Sequence, residues 1–186
     1  MSSSRIVCMG VDPSSRKLAI VYSYMGDEKN VKFQTKKLPQ NKPESCSIAH
    51  EWIKGIIESL PIETEKVYVF VELPVMGRGG IGSTLPQAQV NGAFLAGAYM
   101  AGATVIPVNN MTVKKQVVGK GNASKDDVKE WLRQSWLKHY EKVGTDQDLC
   151  DASMIYVYGV KKVKLRVRIQ GKTKPKIIKK LGVNNG

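Results

Sequence analysis

The sequence predicts one α/β domain built on a mixed five-stranded β-sheet. Three strand-like stretches, residues 5–12, 17–24 and 30–37, open the chain and are separated only by turn residues, which is typical of an antiparallel meander. From residue 44 onward, helical and strand patterns alternate, as they do in α/β domains. There is no internal repeat and no interior linker, so helices are expected to flank a single sheet whose first three strands are antiparallel.

The later elements follow from hydrophobic spacing. Apolar residues recur at helical intervals from residue 44 to Pro61, and residues 66–72 form a continuous apolar run typical of a buried central strand. Small residues at helical spacing predict a closely packed helix within 85–102, whereas the glycine-rich segment 75–83 predicts a mobile loop. The remaining predicted elements are a strand at 103–108, a short helix at 110–118, a helix capped by Ser124 and Asp127 that buries Val128, Trp131, Leu132 and Ser135, and a final helix capped by Thr145.

Composition excludes several classes of protein. The 186 residues are 42% hydrophobic and 24% charged, which is ordinary for a globular domain. No apolar run is long enough to span a bilayer and no signal peptide is recognisable at the N-terminus, so we expect no membrane association and a cytoplasmic location. Three scattered cysteines predict neither a disulfide framework nor a thiolate zinc site, and His50 and His139 are expected on helix surfaces rather than as metal ligands.

The net charge of +13 is concentrated at the C-terminus. Residues 161–186 contain ten Lys or Arg and no acid, while nineteen basic and sixteen acidic residues precede them. A block of like charge is often only a solubilising tail. Here, however, apolar and basic residues alternate over 162–169, which predicts a strand or hairpin with one basic face. We therefore expect a domain at 1–160 and a basic extension at 161–186 that contacts nucleic acid.

Four acids stand at the ends of apolar segments. Asp12 and Glu72 end two predicted strands, and Asp148 and Asp151 lie three positions apart at the start of the last helix, on one face of it. Each alone has a structural explanation, as a turn cap, a strand terminus or a helix-capping acid. Together they predict one cluster, because neighbouring strand ends meet at one edge of a sheet. Converging carboxylates repel one another unless cations neutralise them, and oxygen ligands favour magnesium, with manganese as a substitute. Two such ions form a phosphodiester-cleaving centre.

Five blocks in this order resemble the RuvC-type Holliday junction resolvases of the ribonuclease H-like superfamily. They are VDPSSR (11–16), VELPVMGR (71–78), QAQVNG (87–92), VKKQVVGKGNASK (113–125) and DLCDA (148–152). The resemblance implies a ribonuclease H-like fold and a homodimer that nicks two opposing strands of a four-way DNA junction symmetrically. It also implies two Mg²⁺ ions held by Asp12, Glu72, Asp148 and Asp151, which are the catalytic acids, with Lys114 and Lys125 in phosphate contact and catalysis.

The wider DNA-binding surface is predicted to be basic. Its candidate residues are Arg16, Arg78, Lys114, Lys115, Lys120, Lys125, Lys164, Arg166 and Arg168. The helix within 87–102 is the expected dimer interface.

The chain departs from the family pattern at two positions, of which the first is tolerable at a turn. Ser14 stands at the family's usual turn glycine, and Val75 stands where bacterial members carry an aromatic wedge. The second departure favours a relaxed, branch-reading nuclease like the phage members. Alternatives are a flap or general branched-DNA endonuclease, an RNA-cleaving relative on the same fold and a non-catalytic DNA-binding module. A further alternative is a sugar-kinase-like or actin-like ATPase, for which the chain lacks a second phosphate loop and sufficient length.

Overall fold

The computed structural model describes residues 5–27, 29–74 and 80–172. It contains one five-stranded sheet with the strand order β3-β2-β1-β4-β5. The first three strands pair antiparallel, and β1, β4 and β5 run parallel to one another, which confirms the predicted mixed sheet. The strands are β1 Ile6–Pro13, β2 Lys17–Tyr24, β3 Lys32–Lys37, β4 Lys66–Glu72 and β5 Thr104–Val108.

Helices cover both faces of the sheet. One core contains Val7, Met9 and Val11 of β1 with residues of the first two helices, and a second core contains Cys8 of β1 with residues of the later helices. Because both faces are buried, the central strands are continuously apolar. The helices are α1 Lys42–Glu58, α2 Gly80–Met100, α3 Asn110–Val117, α4 Lys125–Ser135, α5 Leu137–Val143 and α6 Gln147–Lys172.

Helix α6 lies directly on the central strand β1. A Cβ atom added to Gly10 of β1 would overlap the backbone of Ala152 and Tyr156, and one added to Gly159 of α6 would overlap the Phe70 ring. Glycine at these two positions therefore permits a backbone-to-backbone approach that any side chain would prevent. The contact fixes where α6 begins relative to the end of β1.

The C-terminal strand prediction is wrong within the described residues, because α6 continues without interruption to Lys172. The apolar residues that suggested one face of a strand do not share a buried face: Val163 is buried, but Leu165 and Val167 are 55% and 45% exposed. Lys, Arg and Leu are good helix formers, and extending an existing helix needs no new nucleus. Residues 173–186 lie outside the described part of the chain.

Other local predictions also need correction. The N-cap of α6 is Asp146 rather than Thr145, since Asp146 Oδ1 accepts hydrogen bonds from the backbone of Asp148 and Leu149 at 3.1 and 3.3 Å. The segment predicted as a loop at 75–83 already enters α2 at Gly80, and its first five residues lie outside the described ranges. His139 is buried rather than on a surface, because its ring packs against Phe33 and Trp136.

Helix α4 follows its prediction closely. Ser124 and Asp127 form the expected capping box, and Val128 and Leu132 are fully buried. Ser135, which was expected on the buried side, is exposed at the last turn. Among helices of the described residues, none combines the length and apolar character that a membrane span needs.

Candidate active site

Asp12 and Glu72 lie side by side at the carboxyl ends of two parallel strands. Val11 of β1 is in register with Val71 of β4, and the next residue on each strand is an acid. The backbones of neighbouring strands lie about 5 Å apart, so Asp12 and Glu72 start from adjacent positions. Val11 and Val71 belong to the core formed with α1 and α2. Because successive side chains alternate between faces, both acids are directed to the opposite face, which α6 covers.

Asp148 and Asp151 enter the same region from α6. They lie in its first turns, about 4.5 Å apart along the helix axis. Ala152, the residue after Asp151, contacts the backbone at Gly10, which is two residues before Asp12. The seating of α6 on β1 therefore brings the helix acids to the strand acids.

These acids are buried close enough together to affect one another's pKa. Burial raises the pKa of Asp12 well above its usual range. The negative charges of Glu72, Asp151 and Asp148 raise the pKa of Asp12 further. Burial likewise raises the pKa of Glu72 and of Asp151, and the charge of Asp151 adds to the rise at Glu72. The four carboxylates thus form one electrostatic cluster.

Two amide side chains hydrogen-bond to this cluster. Asn110 Nδ2 donates to Glu72 Oε1 at 2.6 Å, and Gln147 Nε2 donates to Asp151 Oδ2 at 3.2 Å. Each bond opposes the rise in the pKa of its acid. Sequence reasoning missed both residues, although Asn110 has a usable signal: it is a polar residue just after β5, at the edge of the sheet where Glu72 ends β4.

The predicted lysines lie within electrostatic range of the acids. The charge of Lys114 lowers the pKa of Glu72 and Asp151, and the charge of Lys125 lowers the pKa of Asp12 and Asp151. Lys114 is also held in place, because its Nζ donates to the Ala123 carbonyl at 2.7 Å. The α3–α4 region therefore brings two positive charges to the acid cluster.

A third lysine, which the sequence did not single out, contacts the start of α6. Lys17 Nζ lies 2.7 Å from both carboxylate oxygens of Asp146 and 3.0 Å from Asp148 Oδ2. It is the first residue of β2, so this cluster ties the β1–β2 hairpin to α6.

The other predicted DNA-binding residues are more dispersed. Arg16 is exposed in the β1–β2 turn, Lys115 is exposed on α3, and Lys120 forms an ion pair with Asp127 at 2.8 Å. Lys164 and Arg166 are exposed on the distal part of α6. Arg168 also belongs to α6, but its side chain is not among the described ones, and Arg78 lies outside the described residues.

The acids approach one another without forming a closed coordination shell. Within residues 5–27, 29–74 and 80–172, no three His, Cys, Asp or Glu side chains meet closely enough to hold a metal ion as they stand. The donor set nevertheless suits a hard divalent cation, since it consists of carboxylate oxygens whose burial and repulsion disfavour their charge. Beside it, Asn110 Oδ1 is buried and accepts no hydrogen bond from the described residues. Binding of an ion would therefore require these side chains to move closer together.

Solved structures of junction resolvases superpose on most of this chain. The structure of Thermus thermophilus RuvC matches with a TM-score of 0.61 at 22% identity, over 87% of this chain and 96% of that one. The same protein in complex with a Holliday junction substrate matches with a TM-score of 0.64 at 20% identity and the same coverage. This chain has the RuvC fold. The yeast mitochondrial Holliday junction resolvase Ydc2 matches at 0.56 and 11% identity, over 91% of this chain and 84% of that one.

The ribonuclease H-like fold that the sequence blocks predicted is therefore confirmed. Searches against protein-family models and against curated protein sequences give no match. The similarity to these solved structures therefore shows the fold alone.

Proposed function

We propose that this chain is a metal-dependent endonuclease that resolves four-way DNA junctions by paired symmetric nicks. The observation that carries the proposal is the placement of Asp12, Glu72, Asp148 and Asp151 at one end of the sheet, on a fold shared with RuvC. Two of these acids come from parallel strands and two from α6. One of the similar structures is RuvC in complex with a Holliday junction substrate, which supports branched DNA as the substrate here.

The four acids would hold two Mg²⁺ ions, for which Mn²⁺ would substitute. When bound, such a pair of ions supplies an activated water and stabilises the leaving oxygen of the phosphodiester. Burial and mutual repulsion disfavour the charged form of these acids, so binding of a hard divalent cation that neutralises them would be favoured. Lys114 and Lys125 would offset the charge of the incoming phosphate, and the Ala123 carbonyl holds Lys114 in place for this role.

Positive charge outside the cluster would hold the DNA arms. The chain has a net charge of +13, and Lys115, Lys164 and Arg166 present exposed side chains on α3 and α6. Phosphate contacts of this kind give affinity and register without reading sequence. Because this segment is a helix rather than a strand, its basic side chains are spaced differently but still carry positive charge. The basic extension therefore remains part of the proposed DNA surface.

Paired nicking requires two active sites, and α2 offers a surface for a homodimer. Gly97 packs so closely on the backbone of His50 in α1 that a Cβ there would overlap it, so this side of α2 is occupied. On the exposed side, Tyr99 and Met100 are 75% and 69% exposed, and Ala96 is exposed one turn earlier. Exposed large apolar side chains beside small ones favour a protein interface.

The test is cleavage of labelled four-way, flap, bubble and linear duplex DNA in Mg²⁺, with Asp12→Asn as the inactive control. Preferential cleavage of the four-way junction at symmetric positions supports the proposal. A supercoiled plasmid that extrudes a cruciform separates paired from single nicks, since paired nicks give linear DNA and single nicks give open circles. Equal cleavage of flaps and junctions would instead favour the relaxed branched-DNA or flap endonuclease, and no cleavage of any substrate would refute the nuclease.

A further inference from the structure

Lys17 connects the β1–β2 hairpin to the acids at the start of α6. Its Nζ contacts both carboxylate oxygens of Asp146 at 2.7 Å and Oδ2 of Asp148 at 3.0 Å. Asp146 is not one of the four proposed metal ligands, whereas Asp148 is. One ammonium group therefore joins a helix-capping acid to a proposed ligand.

The backbone of Lys17 is fixed by the turn that precedes it. Ser14 Oγ accepts a hydrogen bond from the Lys17 backbone N–H at 3.0 Å and donates to the Lys17 carbonyl at 2.8 Å. The Ser14 backbone N–H donates to the same carbonyl at 2.9 Å. Lys17 consequently leaves a tightly closed turn only five residues after Asp12, which itself belongs to the acid cluster.

Asp146 is equally constrained from the side of α6. Its Oδ1 caps the helix by accepting from the backbone N–H groups of Asp148 and Leu149. A carboxylate at a helix N-terminus is also favoured by the helix dipole. Asp146 thus provides a fixed anchor for Lys17, and the contact with Asp148 Oδ2 restrains a side chain that would otherwise rotate in the first turn.

The Lys17 and Asp148 side chains are 24% and 35% exposed, so the Asp148 carboxylate stays accessible beside Lys17. Lys17 engages a single oxygen of Asp148, and a carboxylate has a second oxygen with which it can bind a cation.

We propose that Lys17 is a positioning residue, anchored on Asp146, that orients the Asp148 carboxylate for divalent metal binding. The inference rests on the function proposed above, because it requires Asp148 to be a metal ligand. Residues that orient a ligand in this way commonly change metal affinity or activity by about 10- to 100-fold when removed.

Orientation and simple charge predict opposite effects, which makes the proposal testable. Lys17 is a cation beside a cation site, so by Coulomb repulsion alone its removal would tighten metal binding. If Lys17 instead orients Asp148, its removal weakens metal binding although a repulsive charge has been lost. The sign of the change therefore decides between the two.

The experiment measures Mn²⁺ affinity of the full-length protein without DNA, by isothermal titration calorimetry. We expect Lys17→Met, which keeps the aliphatic stem, to weaken Mn²⁺ binding at least about tenfold. Lys17→Arg, which keeps charge and donors, should restore most of the affinity. Lys54→Met is the matched control, because it removes a lysine that pairs only loosely with Glu58 on α1, at 3.9 Å, and should leave Mn²⁺ affinity unchanged.

The outcomes separate this proposal from the function on which it rests. If the wild-type protein binds no Mn²⁺, or if Asp151→Asn binds it as tightly as wild type, the proposed metal site itself fails. If wild type binds Mn²⁺ through the acids and Lys17→Met binds it equally or more tightly, only the positioning role is overturned. If Lys17→Met does not fold, Lys17→Gln is judged by the same criterion: weaker binding supports the role, and equal or tighter binding overturns it.

Discussion

Replacing Gly10 by alanine should disrupt both the fold and the candidate active site. The added Cβ would overlap backbone atoms of Ala152 and Tyr156, which cannot rotate away as the end of a side chain could. Ordinary Cβ contacts lie at 3.4–4 Å, so α6 would have to move from β1 by about 1 Å or more. Overpacking of this kind typically costs about 1–3 kcal/mol, and the rigid neighbours place Gly10→Ala at the upper end.

The expected loss of about 3 kcal/mol corresponds to a melting temperature about 6–12 °C lower for a chain of this size. Cleavage should fall further than stability explains, because α6 carries Asp148 and Asp151. A displacement of about 1 Å in a reacting geometry can cost about 100-fold in rate. Both effects are measured together by urea unfolding and by single-turnover cleavage at a temperature where the variant is fully folded.

Gly55→Ala is the matched control for this experiment. Gly55 lies in α1, and nothing is within 4 Å of the Cβ that alanine would add. Alanine is favoured over glycine inside a helix by about 0.5–1 kcal/mol, so this variant should be slightly more stable and fully active. A Gly10→Ala protein that is as stable and as active as Gly55→Ala would refute the argument that α6 is seated on the β1 backbone.

Four further predictions concern the acids, the pH dependence of stability, the basic surface and the dimer. Removing any one of the four acids should abolish cleavage but spare junction binding, because each change deletes a proposed metal ligand and no phosphate contact; the variants are Asp12→Asn, Glu72→Gln, Asp148→Asn and Asp151→Asn. The folded-state pKa of Asp12 is raised, so above about pH 4 the folded chain binds more protons at Asp12 than the unfolded chain does. The metal-free protein should therefore lose stability as the pH rises above about 4. Asp12→Asn should lessen this loss, which thermal melts at pH 5 and 8 measure. The double variant Lys164→Gln/Arg166→Gln should flatten the log–log salt dependence of junction binding by about 1.8 if both side chains contact phosphates, whereas Lys54→Gln should leave the slope unchanged. Ala96→Glu should convert a dimer to monomer in sedimentation velocity, and a wild-type protein that sediments as a 20.5 kDa monomer, free and on a junction, would contradict the dimer.

The strand-end acids could be predicted because the relevant information is local. Each of two apolar runs ends in a carboxylate, at Asp12 and Glu72, and parallel neighbours in a sheet have their carboxyl ends at the same edge. The DLCDA block marks the start of α6 in the same way, through acids that precede an apolar helix. The sheet order and the seating of α6 on Gly10 then bring these separate segments together.

The features that the sequence did not predict depend on contacts between distant residues or on a hydrophobic pattern that fits both a strand and a helix. Lys17 and Asp146 are 129 positions apart, and neither belongs to a motif that indicates their contact. Apolar and basic residues alternate over 162–169 as they would in a strand. These residues instead continue helix α6, in which Val163 is buried and Leu165 is exposed. His139 was expected on a surface because it belongs to no ligand pair, yet Phe33 and Trp136 surround it with aromatic rings.

Two of the contacts that hold helix α6 on the β1–β2 hairpin differ in the kind of energy they contribute. The seat at Gly10 is a close-packed backbone contact, so its disruption costs folding free energy directly. The Lys17 cluster is partly exposed, with 24%, 27% and 35% of the side chains of Lys17, Asp146 and Asp148 accessible, and ion pairs of this exposure contribute about 0–1 kcal/mol. Losing it should therefore change the melting temperature by no more than about 4 °C, far less than Gly10→Ala. A contact that contributes so little to folding, but that restrains one of four converging carboxylates, has its main effect on the site, which is why metal affinity rather than stability is the measurement that tests Lys17.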